Sequence, residues 1–208
     1  MKLTKLAENQ IAQLVKQAQA DDKEAFGKIY DEFITPIYRY IFYRVEHNEV
    51  EDLTEQVFLQ ALRKIKNYQP QPRVPFAAWL FRIAHNLIID HYRFYNRLQQ
   101  TNLSEDLVSD KQDDNPTHQT EQKFTQNRLA RAIRKLPDNQ QQVIILKFIH
   151  ELENPEIANL LAKSVSAIRL IQFRALKNLK ITLDKKELSR NKNEFFTFKI
   201  LEQAKGNN

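Results

Sequence analysis

Hydrophobic side chains recur every three or four residues along most of this chain, which is the spacing of one face of an α-helix. The pattern predicts four helices in the N-terminal half, at about residues 5–20, 24–41, 49–68 and 75–97. It predicts a further set of shorter helices at about residues 126–136, 138–149, 155–161 and 165–183. We therefore expect an all-α fold.

The helix predicted at residues 75–97 has two different faces. At about 100° per residue, one broad arc is apolar and the opposite arc is polar. The polar residues are Arg82, Asn86, Asp90, Arg93 and Arg97, and Trp79, the only tryptophan, falls beside them. Cations, an amide and a large ring suit the phosphates and bases of a nucleic acid. A solvated surface with a tryptophan at its edge explains the same pattern, and this helix alone does not decide between the two.

The preceding helix carries one apolar residue in an otherwise polar stripe. Leu59 lies among Asp52, Gln56, Gln60 and Arg63, on the face opposite the predicted core. A single exposed leucine needs no special explanation. Flanked by charged and amide side chains, Leu59 also fits the anchor of a contact with a partner helix.

The composition changes at residues 98–123, which are rich in Gln, Asp, Asn, Ser and Thr and contain no Phe, Trp or Tyr. Such a segment buries too little apolar surface to fold on its own. We therefore predict two small helical domains, at residues 1–97 and 124–184, joined by a flexible acidic linker at 98–123. A tail that is first basic and then aromatic follows at residues 185–208, and its role is not predicted.

The second domain contains helix-capping signals and a helix-turn-helix pattern. Asp138, with Gln141 three residues later, predicts a capping box. Asn154 is the expected N-cap of a short helix with Pro155 at its first position, and Ser164 is the expected cap of a longer helix after a brief interruption. A short helix, a turn and a longer helix form the geometry of a helix-turn-helix.

The longer helix is expected to present a basic face. Its predicted outward residues are Ser166, Arg169, Phe173, Lys177 and Lys180, with Arg174 at the margin. This face suits duplex DNA, although an ordinary helical hairpin with a basic surface has the same pattern.

The amino-acid composition argues against several classes of fold and function. Only two glycines are present, which argues against a β-sandwich, a β-barrel or a glycine-rich phosphate loop. The chain has no cysteine for disulfides or thiolate metal sites, and its five histidines lack metal-binding or catalytic spacing. The N-terminus lacks the apolar core of a signal peptide, and no run approaches the roughly 20 apolar residues that span a bilayer. We expect a cytoplasmic, non-enzymatic protein without a metal, other cofactor or membrane insertion.

The charge is distributed unevenly along the chain. Residues 1–97 contain 14 Lys and Arg against 12 Asp and Glu, a net charge of +2. Residues 98–123 contain 2 against 6, a net charge of −4, and residues 124–208 contain 16 against 8, a net charge of +8. The C-terminal part should therefore attract a polyanion, and the middle segment should be repelled by one.

Four ordered motifs resemble those of bacterial RNA polymerase sigma factors of the extracytoplasmic-function (ECF) type. In chain order they are EAFGKIYDEFITPIYRYIFYRV, VEDLTEQVFLQALRKI, PFAAWLFRIAHNLIIDHYR and LPDNQQQVIILKFIHELENPEIANLLAKSVSAI. The first is similar to the family's opening helix and the second to the helix that docks on the polymerase clamp. The third is similar to the promoter-melting helix and the fourth to the domain that recognises the −35 element. The resemblance covers about residues 22–97 and 127–183.

The resemblance implies roles for the residues singled out above. The residues that would contact the clamp helices of the polymerase core are Asp52, Gln56, Leu59 and Arg63. Those that would bind the −10 strand are Trp79, Arg82, Asn86, Arg93 and Arg97, with a flipped base received by the loop at residues 67–74. Those that would lie along the −35 major groove are Ser166, Arg169, Phe173, Arg174 and Lys177. The implied partners are core polymerase, promoter DNA and, as a further option, an anti-sigma factor.

The motifs differ from the family pattern at several positions. His85 stands where an arginine is usual, and Ala162 stands where the turn usually has a glycine. Two alternatives to a sigma factor are a helix-turn-helix regulator that binds DNA alone and a helical-bundle enzyme. A regulator needs no exposed stripe around Leu59, and no acid–base or metal spacing supports an enzyme.

Overall fold

The structure, a computed structural model, describes residues 3–101 and 121–183. Every regular element in these two ranges is helical, which confirms the predicted all-α class. The helices are α1 (Glu8–Gln19), α2 (Lys23–Phe42), α3 (Val50–Lys64), α4 (Phe76–Thr101), α5 (Glu121–Arg134), α6 (Asp138–Ile144), α7 (Asn154–Leu161) and α8 (Val165–Thr182). In this part of the chain, no helix combines the length and the apolar character needed to cross a membrane.

The ends of the predicted linker differ from the observed helix ends. Helix α4 continues to Thr101 and α5 begins at Glu121, so the segment at 98–123 begins and ends within helices. The rest of that segment, residues 102–120, lies outside the described residues, as does the tail at 185–208.

The first domain is a bundle of α1 to α4 around an apolar core. Helix α2 packs against α1 and α3, and α3 packs against α4. The fully buried side chains recur at helical spacing and include Ile29, Phe33, Ile37, Val57, Ala61, Leu80, Ala84 and Ile88. Burial of one large aliphatic side chain contributes about 1.5–3 kcal/mol. Packing of these faces therefore stabilises the bundle more than the helix propensity of its segments.

The second domain packs α5, α6 and α7 against α8. Helix α6 continues into a π-helical stretch, Ile145–Ile149, whose wider turn changes the direction of the side chains that follow. The consecutive residues Ile144, Ile145 and Leu146 are all buried. This is possible because the stretch is covered by its own domain on one side and by α2 of the first domain on the other.

The turn of the helix-turn-helix has the predicted position. Ala162 ends α7 in the left-handed conformation, with φ 52° and ψ 46°, and the amide of Lys163 donates to the carbonyl of Ala158 at 2.9 Å. Ser164 caps α8, since its hydroxyl oxygen accepts from the amide of Ala167 at 3.2 Å. A left-handed non-glycine residue costs about 1–2 kcal/mol, so Ala162 is a strained position.

Two of the predicted caps are wrong by one residue. Pro137 rather than Asp138 precedes α6, and the amide of Gln141 donates to the carbonyls of Arg134 and Leu136 at 3.0 and 2.8 Å instead of completing a capping box. The side chain of Asp138 is engaged elsewhere, by Arg44 and Gln142.

The cap of α7 is also shifted. Glu153 precedes α7, which makes Asn154 its first residue and Pro155 its second. The carboxylate of Glu156 accepts from the amide of Glu153 at 2.7 Å, which satisfies one of the amides left free at the start of the helix.

Candidate nucleic-acid interface

The polar face of α4 is exposed where the sequence predicts it to be. Arg82, Asn86, Arg93 and Arg97 are all exposed, and Arg93 lies 3.7 Å from the carboxylate of Asp90. Because this ion pair is largely solvated, it holds neither side chain strongly. The face therefore offers cations and an amide that are accessible to a phosphate backbone.

Trp79 lies half-buried beside this face, within an aromatic cluster. The centroid of its ring is 5.0 Å from that of Tyr68 and 5.2 Å from that of Phe76. Gln19 of α1 holds the start of the adjoining loop, because its amide donates to the carbonyls of Ile65 and Tyr68 at 3.0 and 2.6 Å. Trp79 is therefore held beside Tyr68, at the start of the loop that precedes α4, and its side chain is only partly solvated.

A cavity of about 320 Å³ opens at this point between the two domains. Tyr68, Trp79 and Arg82 line it from the first domain, and Asn159 and Lys163 line it from the second. Aromatic faces stack on bases, while the guanidinium and ammonium groups attract phosphates. The chemistry of this lining suits one unstacked nucleotide.

A buried arginine that sequence reasoning missed lies behind the cavity. Arg44 is 1% exposed, and its guanidinium donates to the hydroxyl of Tyr40, to Nδ1 of His85 at 3.1 Å and to the carboxylate of Asp138 in the second domain. Arg44 lies two residues after the end of α2, so the helical spacing of apolar positions gives no signal for its burial.

These contacts fix the protonation of the groups around Arg44. Because the guanidinium is always a donor, Nδ1 of His85 accepts, and the imidazole is neutral. Burial, assisted by the charge of Arg44, lowers the pKa of His85. Burial also raises the pKa of Tyr40 to about 12. The residue that replaces the family's arginine on α4 is therefore uncharged and faces the second domain.

The polar stripe on α3 borders an apolar groove. Asp52, Gln56 and Arg63 are exposed, and Leu59 is 44% exposed. Leu59 does not stand alone, because it joins a group of apolar side chains that line an open groove between α2 and α3, namely Phe26, Tyr30, Ile34, Tyr38, Phe58 and Leu62. An apolar centre with a charged border is the usual composition of a protein–protein contact.

The solvent-facing side of α8 contains all five residues that the resemblance assigns to the −35 groove. Ser166, Arg169, Phe173, Arg174 and Lys177 are exposed, and Phe173 is 64% exposed. The opposite face is buried, as expected, at Ile168, Ala175 and Leu179. Helix α8 thus presents three cations and an aromatic ring on one solvent-facing side.

The described residues contain no group of three or more His, Asp or Glu side chains placed to hold a metal ion.

Two protein-family models match the chain. Sigma-70 region 2 matches residues 29–98, which contain most of the first domain. Sigma-70, region 4, matches residues 126–179, which contain the helix-turn-helix. The two matches coincide with the two helical domains of the structure.

Known proteins match over most of the chain. The ECF RNA polymerase sigma factor SigW of Bacillus subtilis is 30% identical over 78% of this chain and 90% of its own length. BldN of Streptomyces coelicolor, also an ECF sigma factor, is 36% identical over 80% of this chain, but that match spans only 63% of BldN. The solved structure of CnrH of Cupriavidus metallidurans, in complex with the cytosolic domain of CnrY, is 25% identical, covers 86% of this chain and 98% of CnrH, and has a TM-score of 0.62.

Proposed function

The chain belongs to the ECF RNA polymerase sigma factors, and we propose that it binds core RNA polymerase and directs it to promoters, where it helps to open the DNA. The observation that carries this proposal is the cavity between the domains, with Trp79 and Arg82 on one wall. Stacking and cationic groups meet there at the end of an exposed polar helix face, which suits a single strand.

Core polymerase is proposed to bind at the groove between α2 and α3. Leu59 would insert into the partner as an apolar anchor, and Asp52, Gln56 and Arg63 would form the polar border. Buried apolar anchors carry most of the free energy of such contacts, while the border gives specificity. A regulator that binds DNA alone would have no use for this surface.

The −10 strand is proposed to run along α4. Arg82, Asn86, Arg93 and Arg97 would bind its backbone, and Trp79 would stack on a base at the point where the duplex separates. Extruding a base costs a few kcal/mol, which stacking and the cavity would offset. The loop at residues 67–74, anchored by Gln19, would receive the base.

The −35 element is proposed to bind α8. Ser166, Arg169, Phe173, Arg174 and Lys177 face solvent on one side of this helix, which follows the turn of a helix-turn-helix. The second helix of this motif enters the major groove. The surplus of basic residues in this half of the chain agrees with a DNA partner.

The proposed mechanism is non-covalent and requires no cofactor, and the protein would act in the cytoplasm with the polymerase. CnrH was solved in complex with the cytosolic domain of CnrY. By analogy, we propose that this chain also binds an anti-sigma factor, a regulatory protein that keeps it inactive until it is released.

The decisive experiment combines core polymerase with the full chain. We expect the chain to co-purify with the core enzyme, and the complex to give run-off transcripts from a subset of a promoter library. Core enzyme alone serves as the control. Failure of the chain to bind core polymerase, with DNA binding retained, would instead favour a regulator that acts alone.

A further inference from the structure

The groove between α2 and α3 is apolar and open to solvent. Its volume is about 480 Å³, which is typical of sites that take a small ligand. Tyr30, Leu59 and Leu62 line it and are 41%, 44% and 48% exposed. Tyr30 also packs edge-on against Phe58, with ring centroids 4.7 Å apart, so an aromatic pair forms part of the wall. Apolar side chains gathered and exposed in this way mark an interaction site.

The charges that line this groove are negative. Its two charged lining residues are Glu51 and Glu55, which are exposed in the first half of α3. Leu59 and Leu62 lie in the second half of the same helix. The groove thus has an acidic end and an apolar end. A complementary segment carries cations followed by large apolar side chains.

The C-terminal tail of this chain has that order of residues. Residues 185–194 contain four Lys and Arg against two Glu, and the sequence FFTFKI follows at residues 195–200. The tail lies outside the described residues, and none of the surfaces proposed above uses it. Its three phenylalanines between residues 195 and 198 provide a large apolar area, and their rings suit edge contacts with an aromatic wall.

The tail begins close enough to reach the groove. Near the end of α8, the amide of Asn178 donates to the side-chain oxygen of Gln140 at 2.9 Å. Gln140 lies two residues after Asp138, which contacts Arg44 just beyond α2. Helix α8 therefore ends on the side of the first domain where α2 ends and α3 begins. The twelve residues between α8 and Phe195 extend to about 40 Å, whereas a domain of about 100 residues is only about 30 Å across.

Charge distinguishes this groove from the other exposed apolar side chains of the described residues. Phe94 and Tyr95 adjoin Arg93 and Arg97 on α4, and the exposed apolar residues of α8 lie among its lysines and arginines. The cations of the tail are repelled at both of those surfaces and attracted to the acidic end of the groove.

We propose that residues 195–200 of this chain dock into the groove between α2 and α3, with the basic stretch before them beside Glu51 and Glu55. A tethered segment has an effective concentration of about millimolar, so a weak intrinsic affinity keeps the groove occupied in most molecules. What the tail competes with rests on the proposed function, in which core polymerase binds the same groove. The docked tail lowers the apparent affinity for polymerase in proportion to the fraction of molecules with an open groove.

The first test detects the docked tail in the free, full-length chain. The chain has no cysteine, so Thr197→Cys carries a single nitroxide spin label within FFTFKI. We expect the label to broaden the amide NMR signals of Tyr30, Leu59 and Leu62, which line the groove. The signal of Asn159, exposed on α7 beside the other cavity, should remain sharp.

Matched variants of the labelled chain test the two kinds of contact. Phe196→Ser with Phe198→Ser should restore most of the lost signal, whereas Phe196→Leu with Phe198→Leu keeps apolar side chains and should not. Glu55→Gln should reduce the broadening, because it removes a charge from the acidic end of the groove. Asp90→Asn removes a carboxylate from an exposed site on α4 and should leave the broadening unchanged.

The second test measures the affinity of the unlabelled chain for core polymerase. Phe196→Ser with Phe198→Ser should tighten binding about three- to tenfold, as expected if the tail occupies the groove in roughly two thirds to nine tenths of molecules. Phe196→Leu with Phe198→Leu should bind like the unchanged chain.

Three results would overturn the inference. The first is sharp groove signals in the labelled full chain. The second is broadening that appears only on an unlabelled chain mixed with a labelled one, which would make a second copy the occupant. The third is equal core affinity of the serine and leucine variants, which would exclude competition. Failure of the proposed function would look different, because core polymerase would then bind none of these proteins while the groove signals still broadened.

Discussion

The ring of His150 in the second domain packs edge-on against the ring of Phe81 in α4, with centroids 5.7 Å apart. His150 is only 4% exposed, and its Nε2 has no hydrogen-bond partner among the described residues. Burial, assisted by the charge of Arg39, lowers the pKa of His150 to about 3. A proton on this ring would place an uncompensated charge between the domains.

The first prediction is therefore a loss of stability in mild acid. Since the pKa of His150 is about 3 in the folded protein and near 6.5 when unfolded, the unfolded chain binds the proton first. The contribution of neutral His150 to the free energy of unfolding is complete above pH 6.5. It declines as the pH falls toward 3, by up to about 1.4 kcal/mol per pH unit. Urea unfolding between pH 7 and 5 measures this slope. His150→Gln should flatten it, whereas His47→Gln, at an exposed position, should not; equal slopes in all three proteins would contradict the assignment.

Much of the fold follows from local sequence. The three- and four-residue spacing of buried positions such as Ile29 and Leu80 predicts the helices, and the Ser164 cap marks the start of α8. Such signals are local because a helix forms between near neighbours, and its buried face repeats with the helical period. The outward positions of Leu59 and Phe173 follow from the same periodicity.

Contacts between distant residues have no such signal. Arg44 and Asp138 are 94 positions apart, and nothing near either residue indicates the pairing. The same contact explains why the predicted capping role of Asp138 is wrong, since its carboxylate is occupied by Arg44 and Gln142. The sequence does not determine the surroundings of Trp79 for a related reason, because whether its ring is solvated or packed depends on the loop residue Tyr68.

A second prediction concerns the left-handed turn. Ala162→Gly should stabilise the second domain by up to about 1 kcal/mol, because glycine removes the strain of φ 52° and loses part of that gain to its greater chain entropy. The control is Ala12→Gly at an exposed position of α1, which should destabilise the protein by about 1 kcal/mol. Urea unfolding measures both changes. Destabilisation by Ala162→Gly would show that the turn is not strained.

A third prediction tests the proposed polymerase surface. Leu59→Asp should weaken core binding at least about 30-fold, because it places a charge at the apolar centre of the contact, while binding of −35 duplex DNA stays unchanged. Ile181→Asp makes the same kind of change at an exposed apolar residue of α8 and should leave core binding intact. Fluorescence anisotropy with labelled sigma factor measures both affinities. Core binding that survives Leu59→Asp would remove α3 from the docking surface.

A fourth prediction concerns promoter opening. Trp79→Ala should allow closed complexes to form but reduce opening by roughly 5- to 150-fold, since stacking of one base on an aromatic ring is worth about 1–3 kcal/mol. Trp79→Phe keeps a ring beside Tyr68 and should retain part of the activity. Permanganate reactivity of unpaired promoter thymines reports opening, and gel retardation reports the closed complex. Normal thymine reactivity with Trp79→Ala would refute the stacking role.

The last prediction uses salt to identify a phosphate contact on α8. Each phosphate neutralised by a cation contributes about 0.9 to the slope of log binding constant against log salt concentration, because counterions are released. Arg174→Ala should therefore weaken −35 duplex binding and lower the magnitude of this slope by about one. Lys16→Ala removes an equal charge from an exposed position of α1, in the other domain, and should leave the slope unchanged. If Arg174 contacts a base edge instead, weakening will be confined to one promoter sequence, so the comparison should include a duplex with a substituted −35 element. A slope that is unchanged on both duplexes would exclude Arg174 from the phosphate contacts and would place the DNA on another part of the α8 face.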